Sequence, residues 1–193
     1  MIDFIKSKIQ NSIQLKTSLL QSDEILRNID EIVKQITQCY KNGGKVLWCG
    51  NGGSAADAQH LAAELSGRFY YDRPPLFSEA LHVNTSYTTA VANDYSYDVI
   101  YSRLVEAMGR AGDVLIGLST SGNSANVVKA LEKANQMGMI SVGFTGLSGG
   151  KMKDISRYLI NIPSSDTPRI QECHMLLGHT ICEMVEINLF PKK

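Results

Sequence analysis

The sequence lacks a long apolar run. None of its 193 residues belongs to a stretch approaching the roughly 18 apolar residues that a membrane-spanning helix requires. The N-terminus, Met1 to Lys6, carries an early acidic residue and lacks the continuous apolar segment of a signal peptide. These absences speak against a membrane-bound protein and predict a cytoplasmic one.

The chain also lacks an excess of either charge, because Lys plus Arg and Asp plus Glu both number 19. No global electrostatic field therefore favours nucleic acid or an anionic membrane as a partner. The four cysteines likewise lack the close spacing of a metal-binding knuckle, and most of them lie in apolar stretches. Such cysteines are typical of buried thiols in a reducing compartment.

What the chain does contain is typical of a globular protein, with 44% hydrophobic and 20% charged residues. Its length suits one domain over residues 1–193, whereas two full domains would be crowded. Five short apolar runs are typical of strands, at 45–49, 80–83, 114–118, 139–144 and 158–163. Helical patterns separate them, and a final helix is predicted over 168–189. The alternation predicts an α/β fold with a doubly wound, five-stranded parallel sheet flanked by helices.

Two details of this pattern concern polar side chains. His82 lies inside the predicted strand at 80–83 and is expected to be a hydrogen-bonded core histidine. Asn93 and Asp94 interrupt a helical pattern and are expected to place a carboxylate on a loop.

Two helices are predicted before the alternation begins, over residues 2–40 with a break at 22–24. The second carries a wide apolar stripe that includes Ile25, Ile29 and Ile32. The pair has more apolar surface than one sheet face needs. Both helices could cover the sheet, but the pattern favours a first helix that packs against another copy. Residues 1–41 are therefore predicted to form oligomer contacts.

The first predicted strand leads into a turn of small residues, Gly50 to Gly53, which tolerates positive φ angles. Ser54 is the expected helix N-cap, with Asp57 as its capping partner. A strand, a small-residue turn and a helix start present backbone N–H groups to an anion. On the helix over 54–66, His60 and Glu64 share one face. A plain connection with two surface polar residues is an equally good interpretation of this segment alone.

A second strand-to-helix turn is rich in hydroxyl groups. Residues 119–124 read Ser-Thr-Ser-Gly-Asn-Ser, between the strand at 114–118 and a helix over 124–136. A structural turn needs one cap, whereas four hydroxyls and a helix N-terminus can bind a phosphate without Lys or Arg. Neither turn contains the lysine of a nucleotide-binding P-loop, which disfavours a kinase or NTPase.

Together these motifs resemble the sugar isomerase (SIS) family and, within it, the phosphoheptose isomerases, also called sedoheptulose 7-phosphate isomerases. The resemblance rests on 50–54, 119–124, the helix with His60 and Glu64, and Arg169-Ile170-Gln171-Glu172. It implies the SIS fold and conversion of sedoheptulose 7-phosphate to a glycero-manno-heptose 7-phosphate for lipopolysaccharide or capsule. It also implies a homotetramer with active sites at subunit contacts and one zinc ion per site.

The resemblance also implies roles for individual residues. The phosphate would be held by Ser119, Thr120, Ser121 and Ser124. The sugar would be lined by Asn51, Gly52, Gly53, Asn93, Asp94 and Gln171. The acid–base pair would be Glu64 and His179, and the zinc ligands would be His60, Glu64, Gln171 and His179. Some family members have an acidic residue at the position of Pro168. In this chain the resemblance therefore does not imply a sugar contact from that position.

The residue types suit this chemistry, since aldose–ketose isomerisation needs a base and an acid beside an enediol. The zinc set meets a geometric constraint, however. On a continuous helix Gln171 and His179 lie about 12 Å apart along the axis and differ by about 80° in direction. Either the helix starts after Gln171, or the two belong to sites shared between subunits, or only one binds at a time. We favour a shared site.

A non-catalytic SIS protein is the competing hypothesis, because the bacterial DnaA initiator-associating protein is also closely similar. Such a module would bind a phosphosugar or another protein. It has no need of an acid–base pair beside the phosphate cradle, so the presence of both His60 with Glu64 and Gln171 with His179 favours an enzyme.

Overall fold

The computed structural model describes residues 1–192. The helices are α1 Ile2–Leu20, α2 Asp23–Lys41, α3 Gly53–Ser66, α4 Thr85–Asp94, α5 Ile100–Met108, α6 Ala125–Gln136, α7 Met152–Ile155 and α8 Thr167–Leu189. A 3₁₀ turn, Tyr97–Val99, precedes α5. The strands are β1 Val46–Gly50, β2 Ser78–Ala80, β3 Val114–Ser119, β4 Ile140–Thr145 and β5 Tyr158–Asn161. Among the residues described, no helix is long and apolar enough to cross a membrane.

The strands form one sheet in the order β2-β1-β3-β4-β5, and every neighbouring pair is parallel. The predicted five-stranded, doubly wound parallel sheet is therefore confirmed. The order reverses direction between β1 and β3, where Gly50 pairs with Leu118. Ligands of open α/β sheets bind at such a switch point, beyond the carboxyl ends of the strands. The register places the two small-residue turns side by side there.

Two apolar layers cover the sheet, one on each face. Helices α2, α3 and α8 enclose inward-facing residues such as Trp48, Ile116 and Phe144. Helices α5 and α6 cover the opposite face at Leu47 and Leu115. Burial of both faces explains the nearly continuous apolar strands. The cysteines are buried free thiols, as predicted.

Helix α1 is largely exposed. Of its residues only Leu19 is buried. More than half of the surface of Ile2, Phe4, Ile9 and Ile13 is exposed. A row of large apolar side chains at helical spacing is the pattern expected of a face that another chain covers. The predicted oligomer contact through α1 is consistent with this exposure and stays a prediction.

Three local predictions differ from the structure. Strand β2 ends at Ala80 rather than spanning 80–83, because the backbone turns there, with the Val83 N–H donating to the Ala80 carbonyl. His82 consequently lies in a turn, half-buried, with Nδ1 lacking a partner among the described residues. Asn93 and Asp94 form the last turn of α4 rather than a loop.

A further difference concerns the start of α3. Gly52, at φ +56°, is the N-cap residue, and no side chain of the described residues caps this end. Ser54 is therefore a buried residue in the first helical turn of α3, and Asp57 forms no capping box with it. The N-cap of α3 thus lies two residues earlier than the capping pattern predicted, at a glycine, since only glycine adopts that backbone conformation freely.

A buried histidine of α8 makes the stability of the protein sensitive to acid. The Nε2–H of His174 donates to the Thr145 carbonyl over 3.1 Å, and burial lowers the pKa of the ring to about 4. An unfolded chain binds this proton near pH 6.5, so the native state loses stability as the pH falls from 6.5 toward 4. His174→Gln keeps a donor for Thr145 and removes the titrating ring. Between pH 7 and 4.5 we expect urea denaturation to show about 2 kcal/mol less loss in this variant than in the native protein. Parallel pH profiles would contradict this account.

Candidate active site

A polar cavity of about 270 Å³ lies beyond the carboxyl ends of β1 and β3. It is lined by Asn51, Gly53, Ser54, Leu118, Ser119, Thr120, Ser121, Ser124, Thr167 and Gln171. The two turns singled out in the sequence thus form one cavity, because β1 and β3 are neighbours in the sheet. Thr167, at the first position of α8, was not predicted from the sequence.

The second turn concentrates its hydroxyl groups at one point. Ser119 Oγ lies 2.9 Å from Ser124 Oγ and 3.4 Å from Ser121 Oγ. Gly122 allows the tight turn with φ +66°, and its N–H donates to the Ser119 carbonyl. Helix α6 begins directly after Ser124, so the positive end of its dipole reinforces these donors. The arrangement suits a bound phosphate.

The first turn is fixed by a pair of amide side chains, the half-buried Asn51 and the buried Asn126. Asn51 Nδ2 donates to Asn126 Oδ1 over 2.8 Å, and Asn126 Nδ2 donates back to Asn51 Oδ1 over 2.9 Å. The Tyr97 hydroxyl also donates to Asn51 Oδ1. These bonds join the first turn to the start of α6. Sequence reasoning missed Asn126 and Tyr97, because no local pattern marks them and only the sheet order brings them to Asn51.

About two turns further along α3 and α8 than the residues that line the cavity, three side chains converge from the two helices. His60 Nε2 lies 2.9 Å from Glu64 Oε1 and 3.2 Å from His179 Nε2. The ligand atoms of all three residues lie within 4.8 Å of one another. Burial lowers the pKa of His179, and the neighbouring His60 lowers it further against the opposite effect of Glu64. Two imidazoles and a carboxylate at this spacing fit a divalent metal ion such as zinc.

Gln171 lies apart from this group although it belongs to the same helix as His179. Helix α8 is continuous from Thr167, which excludes a helix that starts after Gln171. Gln171 Nε2 lies 3.5 Å from Ser54 Oγ, and a Cβ on Gly53 would come within 2.6 Å of it. The structure thus brings together three of the four predicted metal ligands and places Gln171 in the hydroxyl-lined cavity. Its part in metal binding stays a prediction.

Asn93 and Asp94 are exposed at the end of α4, where Asn93 Nδ2 donates to Asp94 Oδ1 over 2.9 Å. Neither is among the residues that line the cavity. Their predicted contacts to the sugar are therefore not formed within this arrangement of one chain and stay a prediction.

Comparison with known proteins agrees with the fold and with these motifs. The family described as SIS domain matches residues 11–146. The phosphoheptose isomerase of Aneurinibacillus thermoaerophilus is 51% identical over 193 residues, covering 100% of this chain and 98% of that protein. The enzyme of the same name from Clostridium acetobutylicum is 49% identical with the same coverage. The structure of phosphoheptose isomerase from Neisseria gonorrhoeae superposes with a TM-score of 0.89 at 41% identity, over 95% of this chain and 97% of that one.

The sequence identity of about one half extends over the full length of the chain, and the fold superposes over 95% of it. The chain therefore belongs to the SIS family and, within it, to the phosphoheptose isomerases.

Proposed function

We propose that this protein is an aldose–ketose isomerase of the cytoplasm. It would convert sedoheptulose 7-phosphate into D-glycero-D-manno-heptose 7-phosphate through an enediol, for lipopolysaccharide or capsule biosynthesis. The observation that carries the proposal is the group formed by His60, Glu64 and His179, on the two helices whose N-terminal ends line a hydroxyl-rich cavity, in a chain 51% identical to a phosphoheptose isomerase. A non-catalytic binding module would have no use for this group.

The phosphate of the substrate would lie on the second turn. Ser119, Thr120, Ser121 and Ser124 supply hydroxyl donors, and the N-terminus of α6 adds a favourable dipole. Among the residues described, no cationic side chain lines this cavity, so affinity would come from oriented neutral donors. The sugar hydroxyls would then contact Asn51, Gly52, Gly53 and Gln171, with Asn93 and Asp94 completing the sugar site.

Glu64 and His179 would transfer the protons. The reaction needs one group to take a proton from the carbon beside the carbonyl and another to exchange the proton of the neighbouring hydroxyl. The lowered pKa of His179 keeps its ring neutral near pH 7, so that it can both accept and donate a proton. Glu64 supplies a carboxylate on the adjoining helix, oriented by its contact with His60.

His60, Glu64 and His179, with Gln171 as the fourth ligand, would hold one zinc ion per site, which polarises a carbonyl and stabilises an enediolate when bound. The assembly would be a homotetramer of single-domain subunits, with the helical pair over 1–41 at the subunit contacts. The exposed apolar face of α1 supports this arrangement. Full activity of a monomeric variant would contradict active sites at those contacts.

The test is an isomerase assay of the purified protein on sedoheptulose 7-phosphate, with and without a chelator. We expect turnover that a chelator suppresses and zinc restores. Turnover indifferent to chelation would retain the isomerase and contradict the metal requirement. Absence of turnover in zinc-loaded protein that still binds the phosphosugar would favour the binding module instead.

A further inference from the structure

Arg73 and Glu186 form a buried ion pair that has no role in the proposed function. Glu186 on α8 accepts hydrogen bonds from the Phe69 and Tyr70 N–H groups, over 3.0 and 2.8 Å, and from Arg73 Nε over 3.0 Å. Both charged side chains are 1% exposed. Burial acts to raise the pKa of Glu186, but these three donors together outweigh it and hold the pKa below its ordinary value.

The Arg73 side chain closes the C-terminal end of α3. Its guanidinium donates to the carbonyl of Glu64 over 2.9 Å and to that of Leu65 over 2.7 Å. It also donates to the carbonyl of Gly67 over 3.1 Å. The last carbonyls of a helix have no partner within the helix, and one buried cation here satisfies several of them. The backbone of Glu64 is thereby tied to the loop that follows α3.

The same ion pair is also linked to His179, through α8 and through Phe69. Glu186 follows His179 by seven residues, which places it about 10.5 Å further along α8 and within about 20° of the same direction. Phe69 donates its backbone N–H to Glu186, and the centroid of its ring lies 5.8 Å from that of the His179 ring, with the ring planes tilted by 37°. Between these contacts a Cβ on Gly178 would overlap the Leu61 side chain, so the backbone of α8 packs directly against that side chain of α3.

We propose that Arg73 and Glu186 are positioning residues for Glu64 and His179. They hold the end of α3 and the Phe69 ring against α8, so that the two imidazoles and the carboxylate stay at the spacing observed. A buried ion pair is rarely a net gain in stability over apolar residues of similar volume, so its value here lies in its geometry. The catalytic consequence rests on the proposed isomerase function, whereas the structural consequence does not.

The test compares Glu186→Gln with Asp113→Asn. Asp113 is a matched control that lies outside α3 and α8, directly before β3, because it too is buried and accepts from two backbone N–H groups, of Lys45 and Arg110, and from the Lys45 ammonium. We expect Glu186→Gln to lower kcat at least tenfold. It should change KM less than twofold, since Glu186 is not among the residues that line the proposed phosphate site. Asp113→Asn should leave both constants within twofold of the native values.

Imidazole NMR signals provide a readout independent of activity. In Glu186→Gln the signals of His60 and His179 should move, while His82 stays in place. Because Glu186→Gln leaves a buried cation without its partner and can fail to fold, the double variant Arg73→Leu with Glu186→Leu removes both charges. It should show the same histidine shifts in a folded protein.

Unchanged histidine signals and kcat in a folded variant would overturn the proposal. So would an equal loss of kcat in Asp113→Asn. If the native protein does not isomerise the sugar, the proposed function fails, while the histidine signals still decide the positioning role.

Discussion

Replacing Glu64 with glutamine should lower the turnover of sedoheptulose 7-phosphate by about 10²–10⁴-fold, the usual contribution of a general acid or base. Glutamine has the same size and retains an acceptor oxygen for His60, which lies 2.9 Å from the carboxylate. It has no basicity to take a proton from carbon. Substrate affinity should survive, because the proposed phosphate site lies on residues 119–124.

The measurement is kcat from a coupled isomerase assay, combined with calorimetric binding of the phosphosugar. Solvent deuterium incorporation into the sugar provides a second readout, because it reports proton abstraction even without net conversion. Glu132→Gln is the matched control, since Glu132 is exposed on α6. His179→Ala should likewise abolish turnover and leave binding intact. Native turnover or native deuterium incorporation in Glu64→Gln would refute its assignment as an acid–base residue.

Replacing Gly122 with alanine should raise KM for the phosphosugar by at least about tenfold. Gly122 has φ +66°, a conformation that costs other residues about 1–2 kcal/mol. A Cβ there would also overlap the Gly149 carbonyl, which is backbone and cannot rotate away. The turn must therefore move, and its hydroxyls lose the spacing that places Ser119 and Ser124 at 2.9 Å.

Gly43→Ala separates backbone strain from this overlap. Gly43 has φ +73°, but no atom of the described residues lies within 4 Å of a Cβ built on it. Both variants should lose stability in urea denaturation through backbone strain, whereas only Gly122→Ala should lose phosphosugar affinity. A native KM in Gly122→Ala would show that the turn does not hold the phosphate.

The family, the parallel sheet and the two small-residue turns at its edge could be predicted because each depends on short-range pattern. An apolar run followed by small residues, as at Val46 to Gly53, indicates a buried strand and a tight turn wherever it occurs. The four-residue spacing of His60 and Glu64 likewise suffices to place them on one helical face. The edge strand β2 was misplaced because it ends where its own backbone turns after Ala80, which the apolar pattern of residues 80–83 does not reveal.

The sequence by itself determined the elements and the types of chemical group, since φ preferences, helical periodicity and hydroxyl or imidazole chemistry belong to residues and their near neighbours. Only the tertiary structure decided which groups meet. The order of β1 and β3 brings Asn126 to Asn51, and helix packing brings His179, rather than Gln171, to His60. Arg73 and Glu186 pair across 113 residues of chain. Contacts of that separation are fixed by the close packing of α3 on α8, which no local pattern encodes.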